Sequence, residues 1–372
     1  MQTGKLIAVR ADVGGVIGTG HWVRTHALAD ELAARGHQVL FIARNQSNSM
    51  VNPLSPHEVL WLPKYEHGSV EIARPEGPKD RMHEDFFQLG ELSDFQDVLS
   101  VLGGGTRKID LLVADHYGIT STWQKLARKI SNFIVTIDDL ADRSLDTDLL
   151  IDPNFYINHA VRYSSRLSRD CKMLLGPAYA LLKPSFRSKE SPRQPSLDQL
   201  GETAIVCFGG AEFGVLNFEI AQLLLSHTDL KVTVLGSVAP ENSGKWQNLA
   251  RQFQGRLDGP RFSSDPAVDM RSGAVFIGSG GTITWERFAV GLPGAILAIA
   301  RNQEQVSIDV AKEGCQIYLG PATNFDPDAA LNAIQRLRLP EVRLPMIDKM
   351  KMLVDGYGTV RVADALERLM DR

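Results

Sequence analysis

Short apolar runs alternate along the chain with stretches whose apolar residues return every three to four positions, the pattern of buried strands joined by amphipathic helices. Strands are predicted at residues 5–9, 38–43, 109–114 and 133–137, with helices at 25–34 and 122–130 between them. In the first of those helices Ala27, Leu28, Leu32 and Ala33 carry the apolar spacing. Such alternation predicts a parallel sheet covered by helices on both faces, and right-handed crossovers then bring the loops that follow the strands to one edge. Around residues 184–201 the pattern breaks: Pro184, Pro192 and Pro195, serines and mixed charges read as a solvated linker. Beyond it the alternation restarts, with strands predicted at 203–208, 232–235, 274–277, 295–299 and 316–319 and a last helix from about 359 to 369. The expectation is two α/β, doubly wound Rossmann-like domains, 1–183 and 202–372, facing an interdomain cleft, a common place for ligands.

Composition narrows the function classes. A length of 372 residues suits two domains, and 44% apolar with 23% charged residues is ordinary for a soluble protein. A net charge of -4 supplies no general attraction to nucleic acid or anionic membrane. No apolar run approaches the ~20 residues of a membrane span, and the chain enters its first strand without a signal peptide, so the cytoplasm is the expected compartment. Cys171, Cys207 and Cys315 lie far apart without metal-ligand or redox spacing and read as reduced structural thiols.

The chemistry concentrates at the predicted strand ends. Arg10-Ala-Asp-Val-Gly-Gly-Val-Ile-Gly-Thr-Gly-His-Trp-Val-Arg24 follows the first strand, bends through Gly14, Gly15, Gly18 and Gly20, and delivers His21 to a helix N-terminus. Amides at a helix start attract anions, which would set a phosphate beside the imidazole. The loop is neither a Walker A sequence nor the dinucleotide fingerprint, and a glycine-rich turn there also serves packing alone. Asp12 and Asp115 each end a strand on the same edge, where Asp12 either orients His21, contacts a sugar or caps a turn. Asp138, Asp139 and Asp142 lie beside Arg143 and read as turn-capping acids rather than as a metal site. His26 and His37 read as helix-surface and turn residues.

The second half offers Gly209-Gly210-Ala211 after one strand and Gly278-Ser279-Gly280-Gly281-Thr282 after another, where backbone amides and two hydroxyls suit phosphate. Glu286, one turn along the next helix, suits the two hydroxyls of a ribose, or else only complements the helix dipole. Arg301-Asn302-Gln303-Glu304-Gln305 adds polar groups to that edge, although such a run also reads as a solvated helix start.

Arg10-Ala-Asp12, Gly18-Thr-Gly-His21, Asp115-His-Tyr117, Ile137-Asp-Asp-Leu-Ala-Asp-Arg143, Leu175-Gly-Pro-Ala-Tyr-Ala-Leu-Leu182, Phe208-Gly-Gly-Ala211, Thr284-Trp-Glu-Arg287, Asn302-Gln303 and Asp355-Gly-Tyr-Gly358 occur in that order along the chain. Together they resemble the PseG family, the UDP-sugar hydrolases of pseudaminic acid biosynthesis. The resemblance runs nearly end to end. It implies a GT-B-like architecture and cleavage of UDP-2,4-diacetamido-2,4,6-trideoxy-β-L-altropyranose at the anomeric carbon, releasing UDP and free sugar without metal or other cofactor. By position it implies His21 as general base, substrate contacts from Tyr117 and Asn302, ribose binding by Glu286, and glycine loops around the pyrophosphate. Arg10, Asp12, Gly18, Gly20, Asp115 and Gln303 complete the expected substrate site. An imidazole, titrating near about 6.5 when unperturbed, suits the role of base.

The chain departs from the family at Glu212-Phe213-Gly214, where Asp-Pro is usual, and in the Gly278–Thr282 turn. An inverting GT-B glycosyltransferase, whose base would deprotonate an acceptor hydroxyl, is the leading alternative, and a noncatalytic nucleotide-sugar-binding protein is a third reading. The sequence leaves the sugar's stereochemistry, its N-acyl groups and the oligomeric state open.

Overall fold

The computed structural model describes residues 4–14, 18–46, 55–64, 90–168, 170–187, 202–209, 214–236, 242–263 and 265–372. The chain divides into two compact units, the first comprising Met1–Asn154, Asn158–Leu181 and Gly358–Arg372, the second Phe155–Ile157 and Leu182–Tyr357. Most of the expected 184–201 linker lies outside the described residues.

In the first unit β1 (Leu6–Arg10), α1 (Gly20–Ala34), β2 (Gln38–Ala43), β3 (Glu58–Trp61), α2 (Glu91–Val101), β4 (Ile109–Ala114), α3 (Ser121–Ala127), β5 (Ser131–Ile137), β6 (Leu149–Asp152) and β7 (Lys172–Leu175) follow one another. Among the described residues the seven strands form one parallel sheet in the order β3-β2-β1-β4-β5-β6-β7. Successive side chains point to opposite faces, so β1 and β4 feed two cores. Ile7, Val9, Leu111 and Val113 pack with Leu28 and Leu32 of α1, while Ala8, Leu112 and Ala114 pack with Phe95 and Val98 of α2 and Trp123 of α3.

The second unit carries β8 (Thr203–Cys207), α4 (Gly214–His227), β9 (Lys231–Leu235), α5 (Ser243–Gln252), β10 (Leu257–Arg261), α6 (Pro266–Ser272), β11 (Val275–Ser279), α7 (Ile283–Ala289), β12 (Gly294–Ala298), α8 (Arg301–Lys312), β13 (Ile317–Pro321), α9 (Pro327–Leu337) and α10 (Pro340–Leu353). Its described strands form a parallel sheet in the order β10-β9-β8-β11-β12-β13.

The last helix, α11 (Gly358–Met370), departs from the expected domain division. It belongs to the first unit, because Val362, Leu366 and Leu369 recur on one face and are buried with Ile7, Leu28 and Leu32. Arg35 at the end of α1 fastens it through Asp364 and Glu367, each at 2.7 Å. The N-terminal domain is therefore closed by the end of the chain.

In each sheet the winding direction reverses once, between β1 and β4 and between β8 and β11. Doubly wound folds bind ligands outside the carboxyl ends of the strands at such a reversal. The loop carrying His21 follows β1 and Asp115 follows β4; Gly209 follows β8 and Gly280–Thr282 follow β11. His21 with Asp115, and Gly209 with Gly280–Thr282, thus lie at the two reversals, while Asn302 and Gln303 follow the neighbouring β12.

Candidate active site

His21 enters in the first turn of α1, which begins at Gly20, earlier than the apolar spacing predicts. Gly18 holds a positive φ of 70° and Gly14 one of 82°, and the Gly14 amide donates to the Gly18 carbonyl at 2.8 Å, closing the loop just before the helix. Gly15 lies outside the described residues. Glycine is needed at the two positive-φ positions because a Cβ there is strained.

Strands β1 and β4 run in register, Arg10 opposite Ala114, and the Asp115 amide continues the ladder to the Arg10 carbonyl at 2.9 Å. This brings the Asp115 carboxylate beneath the imidazole, with Oδ1 2.5 Å from His21 Nδ1. His21 is 5% and Asp115 1% exposed, so the pair is shielded from bulk water. Burial alone would raise the Asp115 carboxyl; Arg24, and after it His21, override burial and hold it below the ordinary carboxylate range. An ionised Asp115 accepts the Nδ1 proton, which leaves Nε2 as the basic nitrogen of His21.

Arg24 lies one helical turn after His21. Its Nε donates to Asp115 Oδ2 at 2.7 Å and its Nη2 to Asp115 Oδ1 at 2.6 Å, while Nη1 reaches Asp139 Oδ2 at 3.1 Å. Tyr117 stands edge-on to the imidazole, with ring centroids 4.5 Å apart at 85°. Burial and the hydrogen-bonded Asp139 push the Tyr117 hydroxyl well above its usual range, so it remains a phenol. Neither Arg24 nor Asp139 was singled out as a site residue from the sequence. The signal for Arg24 was its i+3 spacing from His21, while Asp139 was read only as a turn-capping acid.

Arg10 and Asp12 are fully buried. The Arg10 guanidinium pairs with Asp12 and with Asp94 of α2, the latter at 2.7 Å, and Trp123 Nε1 also donates to Asp94 at 3.0 Å. Asp12 further accepts from the Arg44 amide at 2.8 Å and from Gln46 Nε2 at 2.9 Å. Burial opposes its charge, but Arg10 and then His116 outweigh burial and hold the Asp12 carboxyl far below the usual range. His116 accepts the Gly118 amide at Nδ1, 3.0 Å, and so donates from Nε2 to Asp12 at 3.1 Å as a neutral ring, consistent with burial lowering its pKa. The residue that orients His21 is Asp115; Asp12 belongs to a buried ionic layer beside it.

Of the acids after β5, Asp138 shows the expected turn cap, while Asp139 pairs with Arg24 instead. Asp138 accepts the Ala141 amide at 2.9 Å and pairs with Arg143 at 2.7 Å, and Arg143 also meets Asp142 at 3.1 Å. Among the described residues no group of three or more His, Cys, Asp or Glu side chains is arranged to hold a metal ion. His26 bonds the Trp22 carbonyl and Ser55, and His37 bonds Glu367 and accepts the Lys5 amide.

In the second unit Gly278 and Ser279 close β11, and Gly280-Gly281-Thr282 turn into α7. A Cβ at Gly278 would overlap the Cys207 carbonyl oxygen of β8, so close strand approach demands that glycine. Gly281 takes a φ of 100°, and both it and Gly280 lie against Gln303 of α8, whose Oε1 accepts the Ile299 amide at 3.2 Å. Asn302 precedes it in the first turn of α8, which follows β12, the neighbour of β11. Gly209, with φ 91°, ends the segment after β8; Gly210 lies outside the described residues. Glu286 lies in the first turn of α7 between the buried Trp285 and Arg287, and burial of its carboxyl, moderated by Lys183, pushes its pKa up to about 7.

No protein-family model matches the chain. It is similar to the UDP-2,4-diacetamido-2,4,6-trideoxy-β-L-altropyranose hydrolase of Campylobacter jejuni, 24% identical over 215 residues that span 56% of this chain and 74% of the relative. Solved structures share its fold: the calicheamicin glycosyltransferase CalG4 (TM-score 0.64, 17% identity, 100% of this chain and 99% of that one) and Arabidopsis thaliana UGT89C1 complexed with UDP-L-rhamnose (0.66, 18%, 99% and 100%). A Polygonum tinctorium UDP-glucosyltransferase aligns equally fully, at TM-score 0.63 and 15% identity over 100% of both chains. The chain has the GT-B fold. No described helix is long and apolar enough to cross a membrane.

Proposed function

We propose that the protein hydrolyses a UDP-linked amino or deoxy sugar at its anomeric carbon, releasing UDP and free sugar with inversion, in a pseudaminic-type nonulosonic acid pathway of the cytoplasm. The observation that carries this reading is the buried His21–Asp115 pair at 2.5 Å. A neutral imidazole held through Nδ1 presents Nε2 to a water molecule and takes its proton as the water attacks. The leaving group is a phosphate anion, and the amides of the Gly278–Thr282 turn, with Gly209 after β8, suit its charge without a general acid. Glu286 accepts the ribose hydroxyls, and Tyr117 and Asn302 hold the sugar. Gln303 braces the glycine turn, while Gly18 and Gly20 shape the loop before His21. Arg10 and Asp12, buried against one another, support the strand edge rather than touching substrate.

The acids at the strand ends support a reaction without metal, because Asp12, Asp115 and Asp138 each already face a guanidinium. The relative from C. jejuni, named a hydrolase, supports water as the acceptor. The structural neighbours named glycosyltransferases favour a second reading, an inverting UDP-sugar-dependent transferase in which His21 deprotonates an acceptor hydroxyl. Incubation with UDP-sugars in EDTA, without any acceptor, tests the first reading. UDP and free sugar should form at the full rate, and His21→Ala should lower turnover by roughly 10²-fold or more while UDP affinity stays unchanged. Turnover only on addition of an acceptor would establish the transferase instead.

A further inference from the structure

The residues around His21 close into a ring. His21 Nδ1 meets Asp115 Oδ1 at 2.5 Å; Asp115 is held through both oxygens by Arg24, at 2.6 and 2.7 Å; Arg24 reaches on to Asp139 at 3.1 Å. Asp139 takes the hydroxyl of Tyr117, and the Tyr117 ring returns edge-on to the imidazole at 4.5 Å. Three segments supply the members: α1 gives His21 and Arg24, the loop after β4 gives Asp115 and Tyr117, and the loop after β5 gives Asp139. From this closed circuit we infer that Arg24 is the positioning residue of the base: its guanidinium fixes Asp115 in the orientation that keeps the His21 proton on Nδ1, and links that orientation to the placement of Tyr117.

The geometry requires arginine. A planar fork donating two parallel bonds to one carboxylate sets the plane of that carboxylate, which a single ammonium does not do. With Asp115 fixed, Oδ1 faces Nδ1 and the tautomer is determined. The same guanidinium carries a second function in its remaining nitrogen. Asp115 and Asp139 are both buried, at 1% and 8% exposure, and two carboxylates so placed need a cation between them; Arg24, itself 5% exposed, is that cation. Removing it releases Asp115 from the fork and leaves two buried carboxylates without the cation between them, so the imidazole loses the fixed partner that defines its basic nitrogen. Arg24 need not touch the substrate for this. Its side chain is occupied on three sides by Asp115, Asp139 and the edge of His21, whose Nδ1 lies 3.4 Å from Nη2.

The inference rests on His21 being the base, but its readout does not. Nitrogen-15 spectra of the histidine rings report the tautomer directly, and a strong Nδ1–H to carboxylate bond gives a low-field proton resonance; both can be assigned to His21 by their loss in His21→Asn. In Arg24→Met the low-field signal should disappear and the ring should become a mixture of tautomers. Turnover of a UDP-sugar should fall about 10²-fold in kcat with KM and UDP affinity little changed, less than the ~10⁴ seen when the aspartate of a catalytic triad is itself replaced. Arg24→Lys, which keeps the charge and loses the fork, should recover part of kcat. Hydrogen exchange of β1 and β4 at the wild-type rate verifies that the first unit of the variant is folded. If Arg24→Met does not fold, Asp139→Asn opens the same ring from the other side and should weaken the low-field signal and lower kcat about tenfold. A folded Arg24→Met, or failing that an Asp139→Asn, with the wild-type tautomer and wild-type kcat overturns the inference. Full activity in His21→Asn with an altered tautomer in Arg24→Met would refute the base while upholding the positioning role.

Discussion

At the scale of single residues, the site contrasts carboxylates held by arginines with one governed by burial. Asp12 and Asp115 are buried opposite arginines and stay ionised, whereas Glu286 is raised to about 7 because burial outweighs the attraction of Lys183. Its folded value lies above the usual 4.5, so the free protein holds an extra proton between those limits. The associated stability is complete below about 4.5 and is lost as pH rises through about 7. A ribose reverses this preference, because its hydroxyls donate and the carboxylate is the stronger acceptor. UDP should therefore bind more tightly as pH rises. Ionised Glu286 grows from roughly a tenth to nine tenths of the population between pH 6 and 8, so affinity relative to Glu286→Gln should improve about tenfold across that interval. Taking the ratio of the two proteins cancels the ionisation of UDP itself. Calorimetry at several pH values measures it, and a constant ratio would return Glu286 to a helix-dipole role.

At the scale of elements, the strands buried on both faces were legible because their apolar runs are unbroken: β2 and β4 match their predicted limits, and β1, β8, β11 and β12 differ by a residue or two. The short strands and part of the sheet edges were not, although the edge strand β13 was expected at 316–319 and runs Ile317–Pro321. β10 reads Leu-Asp-Gly-Pro-Arg, a turn by composition, yet it pairs with β9 because an edge strand tolerates a proline and a glycine that lets the backbones approach. β3, β6 and β7 have four residues each, too few to show a period. Of the pair at 2.5 Å, Asp115 was singled out by its place at a strand end and His21 by the glycine loop that leads into its helix. Asp94 and Asp139 came into play through pairing across long sequence separations, which a local pattern does not encode. The terminal helix was correctly expected but assigned to the wrong unit, since an apolar stripe says that a face is buried and not where. That placement predicts the effect of Leu366→Ala: removal of a fully buried side chain should destabilise the first unit by about 2–5 kcal/mol. Hydrogen exchange should accelerate in β1 and α1 and stay unchanged in β8 and α4. Uniform acceleration, or none, would contradict the packing of α11 on the first unit.

At the scale of the whole molecule, two sheets of similar winding supply different chemistry. The first brings an oriented imidazole to its topological reversal, and the second brings glycine turns and a titrating carboxylate. Cleavage at the anomeric carbon, as proposed, and attack at phosphorus make different demands on the site. Attack at phosphorus demands cations around the equatorial oxygens of the phosphoryl group. In the first unit Arg10, Arg24 and Arg143 are each committed to buried carboxylates, at distances that leave them paired rather than poised for a phosphate. Attack at the anomeric carbon asks less: a base for the water, and donors for a leaving group that is already a stable anion. Run in ¹⁸O-water, the reaction should place the label on the anomeric hydroxyl of the sugar and leave UDP unlabelled, with inverted configuration in the first-formed product. A free sugar mutarotates and exchanges its anomeric oxygen, so label and configuration must both be read at early times. Unlabelled sugar beside labelled UDP would mean that water attacks phosphorus, and the His21–Asp115 pair would then need a different substrate atom to act upon.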